Sequence, residues 1–348
     1  MSDTDAGPTP AEAFAALASP VRVRLVRTLG ETAADDPAAI TFLPFDHPDR
    51  GLAYSALRER VDVADSGRFN YHLGELVGSF VEKEGDRYRL TWLGALAYRF
   101  LVAGRFSADP VPRRFDLDDP CHRCGGRVEA RYTADQLLYV DCTDCGLRTM
   151  MIHVPQHGVA GRSHEALLSA GAMRYRTHVR SLTAGICPWC SGRVETAVAE
   201  ADDETRGQPV ATHLCRDCGG VYFPSIGAAL LSHPAVVAFC HARGVDLRDY
   251  YPWTVPFAFA PDHAAVTSRD PLRVRVDVRL AGDRCRVVVD DRLTVRSVAV
   301  ATDVADGDEN GGEQGDESQC ESNAHGPGGD EPNEDGTGAG DESVVWDG

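Results

Sequence analysis

Four C-x2-C pairs hold eight of the chain's eleven cysteines: Cys121/Cys124, Cys142/Cys145, Cys187/Cys190 and Cys215/Cys218. They group into two successive four-thiolate sets, with 17 and 24 residues between the pairs of each set. Thiolates are soft ligands, and four of them held tetrahedrally select zinc or, less often, iron. The spacing predicts two zinc ribbons, each holding Zn2+ at a structural four-cysteine site. Small residues follow every pair (Gly125-Gly126, Gly146, Ser191-Gly192, Gly219-Gly220), as expected of knuckles that bend the backbone around an ion. A closed four-thiolate shell leaves no position for a substrate, so the pattern speaks for a structural metal rather than a catalytic one. Disulfide pairing or thiol redox chemistry is the competing reading of the same residues.

Other residues suggest less chemistry. His122, Trp189 and His213 read as exposed neighbours of the knuckles, and His153, His157, His164 and His178 as surface or core residues, since the cysteine sets are already complete. Cys240 has no cysteine at short spacing and reads as buried and inert. No nucleophile and base, P-loop or dinucleotide fingerprint is present, so an enzyme is not expected. Asp306, Asp308, Asn310, Gly311 and Glu317 match a calcium-loop pattern, but no amphipathic helix flanks them and the match reads as coincidence.

Composition sets the surroundings. The chain has 348 residues, 43% of them hydrophobic, which allows two or three domains with cores. No apolar run reaches a membrane-spanning length and no signal-peptide pattern opens the chain, so a cytoplasmic protein is expected, with no membrane partner. Of the net charge of -18, fifteen acids and no Lys or Arg fall in residues 303–348. That stretch cannot bury enough apolar surface to order itself and reads as a disordered tail. Arginine dominates the bases, with Lys83 the single lysine, a bias that points to an extreme halophile.

The elements that carry these features start with helices. Ala13, Phe14, Leu17 and Ala18 share one helical face, and Val21, Leu25, Val26 and Leu29 make the next stripe after Ser19 and Pro20, an N-cap and N1 pair. After a connection with a strand expected at Ile40–Leu43 comes a short helix, Tyr54 to Val61, with Leu57 and Val61 inward. A turn at Asp62 to Asp65 leads to Ser66 as N-cap of a helix expected to run to about Ser79. Phe69, Leu73, Leu76 and Phe80 lie on one side of it, and Arg68, Asn70, Tyr71 and Glu75 on the other. Two such helices and a tight turn make a helix-turn-helix, and Val81–Lys83 with Tyr88–Thr91 make a hairpin wing. A last helix, Trp92 to about Val102, has an apolar face broad enough to meet a second subunit.

These residues resemble a known family. The runs Ser19-Pro-Val-Arg-Val-Arg-Leu-Val-Arg-Thr-Leu, Tyr54-Ser-Ala-Leu-Arg-Glu-Arg-Val, Gly67-Arg-Phe-Asn-Tyr-His-Leu-Gly-Glu-Leu-Val and Tyr88-Arg-Leu-Thr-Trp-Leu-Gly are similar to ArsR-like winged-helix regulators of haloarchaea, over about the first 105 residues. The resemblance implies a homodimeric, cytoplasmic transcription factor that binds double-stranded DNA and dimerises through the Trp92–Val102 helix. By position, Ser66, Arg68, Asn70, Tyr71 and His72 would lie in or open the recognition helix, and Lys83, Arg87 and Arg89 would be wing contacts. Residues 51–105 contain no cysteine and the last helix no Asp or His, so metal sensing at that family's usual positions is not implied.

Beyond a proline-rich linker (Pro110 to Pro120), Ser163 should cap a helix from His164 to about Leu182, and Ile226 to Ala242 reads as a helix interrupted at Pro234. From Leu272 the period-two pattern predicts an antiparallel meander with Arg273, Arg275, Arg279 and Arg286 on one face, a solvated one. The fold class is therefore α+β. Residues 1–9 form a disordered N-terminus, 10–106 a winged helix-turn-helix, 107–120 a linker, 121–224 two zinc ribbons with an intervening helix, 225–302 a helix plus β-meander, and 303–348 a disordered acidic tail. The functional expectation is a sequence-specific transcription regulator with a zinc-stabilised sensor or interaction module. The alternative is a zinc-ribbon adaptor for protein or RNA partners.

Overall fold

The computed structural model describes residues 7–35, 51–105, 110–199, 209–260 and 263–302. The expected strand at Ile40–Leu43, the calcium-like loop, Cys320 and the disorder assigned to residues 1–6 and 303–348 lie outside the described residues. Within them the chain mixes helices with four small sheets. Its described parts divide into two compact units. One takes Met1–Arg114, Arg131–Leu138 and Ile152–Gly171, the other Phe115–Ala130, Tyr139–Met151 and Ala172–Gly348.

The first unit opens with α1 (Pro10–Leu17), where Thr9 and Glu12 close a capping box, and α2 (Pro20–Asp35). The short strand β1 (Leu52–Ala53) leads directly into α3 (Tyr54–Val61), which ends at Asp62 in the left-handed region. Next come α4 (Ser66–Gly74), the hairpin β2 (Val81–Glu84) and β3 (Arg87–Leu90), and α5 (Trp92–Ala103). The strands pair in the order β1-β3-β2, all antiparallel. Val21, Leu25, Val26 and Leu29 of α2, Leu57 and Val61 of α3, and Phe69, Leu73, Leu76 and Phe80 form one buried core, as the helical spacing requires. Leu93, Ala97 and Leu101 of α5 pack against it from one side.

The N-cap of α4 is Asp65, not Ser66: its carboxylate accepts the Arg68 amide at 2.9 Å, and a negative charge there also suits the helix dipole. The helix is also shorter than expected. It stops at Gly74, and two tight turns, closed by Val77 N to Leu73 O and Phe80 N to Leu76 O, carry Leu76 and Phe80 inward instead. At the other end of this unit, Tyr132 donates to the Val154 carbonyl at 3.0 Å, and the buried Gln136 donates to the Gly104 carbonyl at 2.9 Å while accepting the Gln156 amide.

The linker contains a strand that proline content hid, β4 (Arg113–Leu117). It joins β5 (Val128–Tyr132), β6 (Leu137–Cys142) and β7 (Arg148–His153) in the order β4-β5-β6-β7. Then α6 (His164–Thr183) follows, capped by Ser163 as expected, with Leu167, Leu168, Ala172, Tyr175 and Val179 buried.

In the second unit β8 (Val194–Ala199), β9 (Val210–Cys215) and β10 (Val221–Tyr222) form an antiparallel sheet around β9. The single helix expected over Ile226–Ala242 is two, α7 (Ile226–Ala229) and α8 (Pro234–His241). Proline without an amide hydrogen is suited to start α8, and does so. An aromatic, proline-punctuated segment, Tyr250 to Phe259, folds as a 3-10 turn, Pro252–Thr254, and α9 (Pro256–Phe259), both largely buried. The meander gains a strand, so β11 (Ala264–Arg269), β12 (Leu272–Leu280), β13 (Asp283–Asp290) and β14 (Val295–Thr302) pair in sequence order. Its apolar face is formed by Val274, Val276, Val278, Leu280, Cys285, Val287 and Val289, each fully or almost fully buried. Arg243 ties α8 to the start of β13 through Asp283 at 2.6 Å.

Candidate metal centres and nucleic-acid interface

Each C-x2-C pair sits in the same backbone knuckle. The amide four residues after the first cysteine donates back to its carbonyl (Gly125 to Cys121, Gly146 to Cys142, Ser191 to Cys187, Gly219 to Cys215, 2.8–3.1 Å). The first cysteine's own amide donates to the carbonyl five residues on, at Gly126, Leu147, Gly192 and Gly220. The turn needs a positive φ at the donor, met by three glycines and, in the third knuckle, by Ser191 at 59°.

The knuckles bring Cys121, Cys124, Cys142 and Cys145 together, and separately Cys187, Cys190, Cys215 and Cys218. Within each set the sulfurs all lie within 4.8 Å of one another. Cys121 and Cys145 are 3.7 Å apart, Cys124 and Cys142 3.6 Å, Cys187 and Cys218 3.7 Å, and Cys190 and Cys215 3.5 Å. Zinc–sulfur bonds of about 2.3 Å put tetrahedral corners about 3.8 Å apart, whereas a disulfide needs about 2.05 Å. All ten cysteines of the described residues are free thiols. Both sets therefore fit a tetrahedral metal ion and neither is a pair of disulfides.

The surroundings favour ionised sulfur at one thiol of each set. Burial opposes ionisation of Cys187, but the Tyr222 hydroxyl at 3.5 Å and the amides of Cys190 and Trp189 outweigh it and bring the thiol down to about 6. Burial likewise opposes Cys142, and the amides of Cys145 and Asp144 with the sulfurs of Cys124 and Cys145 bring it down to about 7. Charge on one sulfur then resists charge on the next. Although the Gly192 amide favours its thiolate, the neighbouring sulfurs of Cys215 and Cys218 push Cys190 up to about 12. Only a cation in the middle would stabilise four thiolates together.

Two aspartates complete the sites. Asp144 accepts the Arg127 amide at 3.2 Å, and Asp217 accepts the Arg193 amide at 2.9 Å, so each bridges from the second knuckle of its set to the first. The bridge needs glycine: a Cβ on Gly126 would collide with the Asp144 carboxylate, and one on Gly192 with that of Asp217. The signal was in the chain as a repeat, Cys-x-x-Cys-[Gly/Ser]-Gly-Arg-Val-Glu followed by Cys-x-Asp-Cys-Gly, read twice. Cysteine spacing alone does not point to Asp144 or Asp217, which lie between the two cysteines of the second pair in each set.

His213 is wholly buried, not exposed. It lies two residues before Cys215 on β9 and so points to the same inward face. Its Nδ1 sits 2.8 Å from the Thr196 hydroxyl and burial pushes its pKa down to about 4. Trp189 is half exposed as expected. His122 has a buried Nε2 and lines a small cavity with Asp119, Thr149 and Trp253.

In the first unit, Ser66, Arg68, Asn70 and Tyr71 are exposed on α4, opposite Phe69 and Leu73. The Tyr54 hydroxyl donates to Asn70 Oδ1 at 2.7 Å, which turns the Asn70 amide nitrogen outward as a donor. His72 is only part-exposed: burial lowers its pKa, Arg22 and Arg68 add to that, and its Nδ1 is buried. The hairpin residues differ from one another. Lys83 is exposed beside the Tyr88 ring, Arg87 donates to the Gly51 carbonyl at 2.9 Å, and Arg89 is held by Glu82 at 2.6 Å and Glu84 at 2.8 Å. On α5, Trp92, Leu96 and Phe100 are 40–56% exposed at four-residue spacing.

No helix of the described residues is long and apolar enough to cross a membrane. Residues 118–295 match a family described as a domain of unknown function, DUF7351, and residues 10–101 match a second, DUF7347. No curated protein and no solved structure matches the chain.

Proposed function

The chain belongs to the DUF7351 family, and from that premise we propose that it is a sequence-specific, duplex-DNA-binding transcription regulator whose two cysteine sets hold structural zinc. The observation that carries this reading is α4. It is a short helix docked on a complete core by Phe69 and Leu73, presenting Arg68, Asn70 and Tyr71 to solvent after a tight turn from α3. In a winged helix this element enters the major groove, where guanidinium and amide donors read the acceptor edges of guanine and adenine. Arg68 offers such a fork and Asn70 an oriented donor. Tyr71 adds an exposed ring for contact with a thymine methyl or sugar.

On the hairpin Lys83 is the phosphate contact, while Arg87 and Arg89 act first as supports for the wing, because their guanidinium groups already have partners within it. The stripe of Trp92, Leu96 and Phe100 supports a homodimer built on α5, and a dimer would read an inverted repeat with half-sites about one helical turn apart. The zinc centres serve as staples for the strands that carry the cysteines, most of all for β8 to β10, which bury less apolar surface than β5 to β7.

Selection from a random duplex library with metal-loaded protein tests the reading, and an enriched inverted repeat is the expected result. Arg68→Ala with Tyr71→Ala, both at exposed positions, should weaken binding to that repeat at least about tenfold, since a good base contact is worth about 1–3 kcal/mol. No enrichment, or equal binding by the double variant, refutes the DNA reading.

A further inference from the structure

An asparagine side chain has two unlike ends. Its carbonyl oxygen accepts hydrogen bonds and its amide nitrogen donates them, and turning the amide over exchanges the two. On an exposed helix face either end can be presented, so what an asparagine recognises there is decided by whatever holds its amide.

Asn70 has such a hold. It is exposed on α4 next to Phe69, whose ring is fully buried. The Tyr54 ring, at the first position of α3, packs edge-on against Phe69 with centroids 5.3 Å apart and planes at 85°. An edge-to-face contact with a buried partner sets where the ring lies, and with it the hydroxyl at its far end. That hydroxyl donates to Asn70 Oδ1 at 2.7 Å, the usual length of a well-formed O–H···O bond, from a residue 16 positions earlier in the chain. The turn between the two helices is braced as well. Arg58 donates to the carbonyls of Val63 at 3.4 Å and Ala64 at 2.6 Å, and Asp65 caps α4. Tyr54 and Asn70 are thereby kept in one fixed relation.

With Oδ1 turned toward α3, the end of Asn70 left for a partner is Nδ2 with its hydrogens. Base edges in the major groove answer such a donor differently. Guanine offers two adjacent acceptors, N7 and O6, adenine offers N7 beside an amino donor, and cytosine offers a donor alone. A reader that only donates is met twice by guanine, once by adenine and not at all by cytosine. An asparagine free to present its donor and acceptor side by side would suit adenine instead.

We propose that Tyr54 is a specificity-determining positioning residue: its hydroxyl holds the Asn70 amide with the donor outward, so that α4 selects guanine over adenine at the base pair Asn70 faces. Tyr54 acts through Asn70 and touches no base itself. The inference rests on the DNA reading of α4 and names the base read there.

The test uses the full chain and the repeat that it enriches, with each base pair of one half-site replaced in turn and binding measured by competition. The base pair read by Asn70 is the one whose preference is lost in Asn70→Ala. There the native protein should prefer guanine to adenine about tenfold, within the range of a good base contact. Tyr54→Phe keeps the ring against Phe69 and removes the hydroxyl alone, and circular dichroism checks that it folds. It should bring that ratio close to unity, leave the preferences at other base pairs as they were, and change nothing further when added to Asn70→Ala. An undiminished guanine preference in Tyr54→Phe, a native preference for adenine, no base pair affected by Asn70→Ala, or an equal loss at every base pair overturns the proposal and leaves the DNA reading standing. If the native protein enriches no repeat, the DNA reading fails and the proposal falls with it.

Discussion

In both cysteine sets one kind of knuckle, used twice, holds the sulfurs and an aspartate ahead of the last cysteine ties the second knuckle to the first, yet the strands behind them are unlike. Around the first set, β5, β6 and β7 bury Val128, Ala130, Tyr132, Leu138, Val140, Met150 and Ile152, none of them a ligand. The strands of the second set, β8 and β9, bury Val194, Val198 and Ala211 with His213 and Cys215, and the cluster at its sulfurs is Leu182, Cys187, Val194 and Cys215 with Tyr222 packed against it, two of those four being candidate ligands. Where apolar surface is scarce a bound ion would take the place of a core, because the binding free energy of a structural metal is then folding free energy. The first set sits on a sheet with seven buried apolar and aromatic side chains of its own, while the sheet of the second has only Val194, Val198 and Ala211 besides its cysteine and histidine.

Metal removal should break the comparison open with the largest effect. Structural zinc contributes apparent free energies of about 10–16 kcal/mol in small domains. Chelation under reducing conditions, with loss of metal verified, should strip amide protection from β8, β9 and β10, leave β5, β6 and β7 partly protected, and spare α2 to α5. Hydrogen exchange measured along the chain reads this directly. Equal loss in the two sheets would show that the apolar residues of β5 to β7 are no support on their own.

The shared aspartate should show the opposite, a like effect at unlike sites. Asp144→Ala and Asp217→Ala each remove one acceptor from an amide, at 3.2 Å and 2.9 Å respectively, and each should cost about 1 kcal/mol. Chemical denaturation of both variants measures it. A cost at one site and none at the other would mean that the repeated string is inherited shape without a repeated role.

The smallest effect should separate the sets again. Tyr222→Phe deletes the hydroxyl that lies 3.5 Å from Cys187 and keeps the ring that fills the second cluster, for a loss of about 0.5–1 kcal/mol. Competition with a graded chelator should then release one metal per chain more readily and leave the other unchanged. Easier release of both metals would contradict the assignment of Tyr222 to the second set alone.

Much of the site was legible because its signals are local. Cysteine spacing marks a tetrahedral site wherever the chain places it, and the stripes of α2, α3 and α4 follow from 3.6 residues per turn. What stayed hidden depends on partners distant in sequence. Strand β4 looks like a linker because its prolines lie just outside it and its hydrogen bonds go to β5. Asp65 displaced Ser66 as cap by one residue, a choice between two good candidates that only the geometry of the turn decides. His213 looked like a polar surface residue until its place on the inward side of β9, two residues before Cys215, buried it.

The sequence by itself determined which atoms could hold a metal, which helices have an inside and an outside, and where the acids begin, since each is a matter of residue type and short-range period. Only the tertiary structure decided that paired sulfurs of each set stand 3.5–3.7 Å apart across a gap of at least 17 residues, that Arg89 is already neutralised by Glu82 and Glu84, and that Arg279 faces Arg284 across a strand pair. Register and pairing are set by the sum of contacts between distant segments, and no single segment contains that sum.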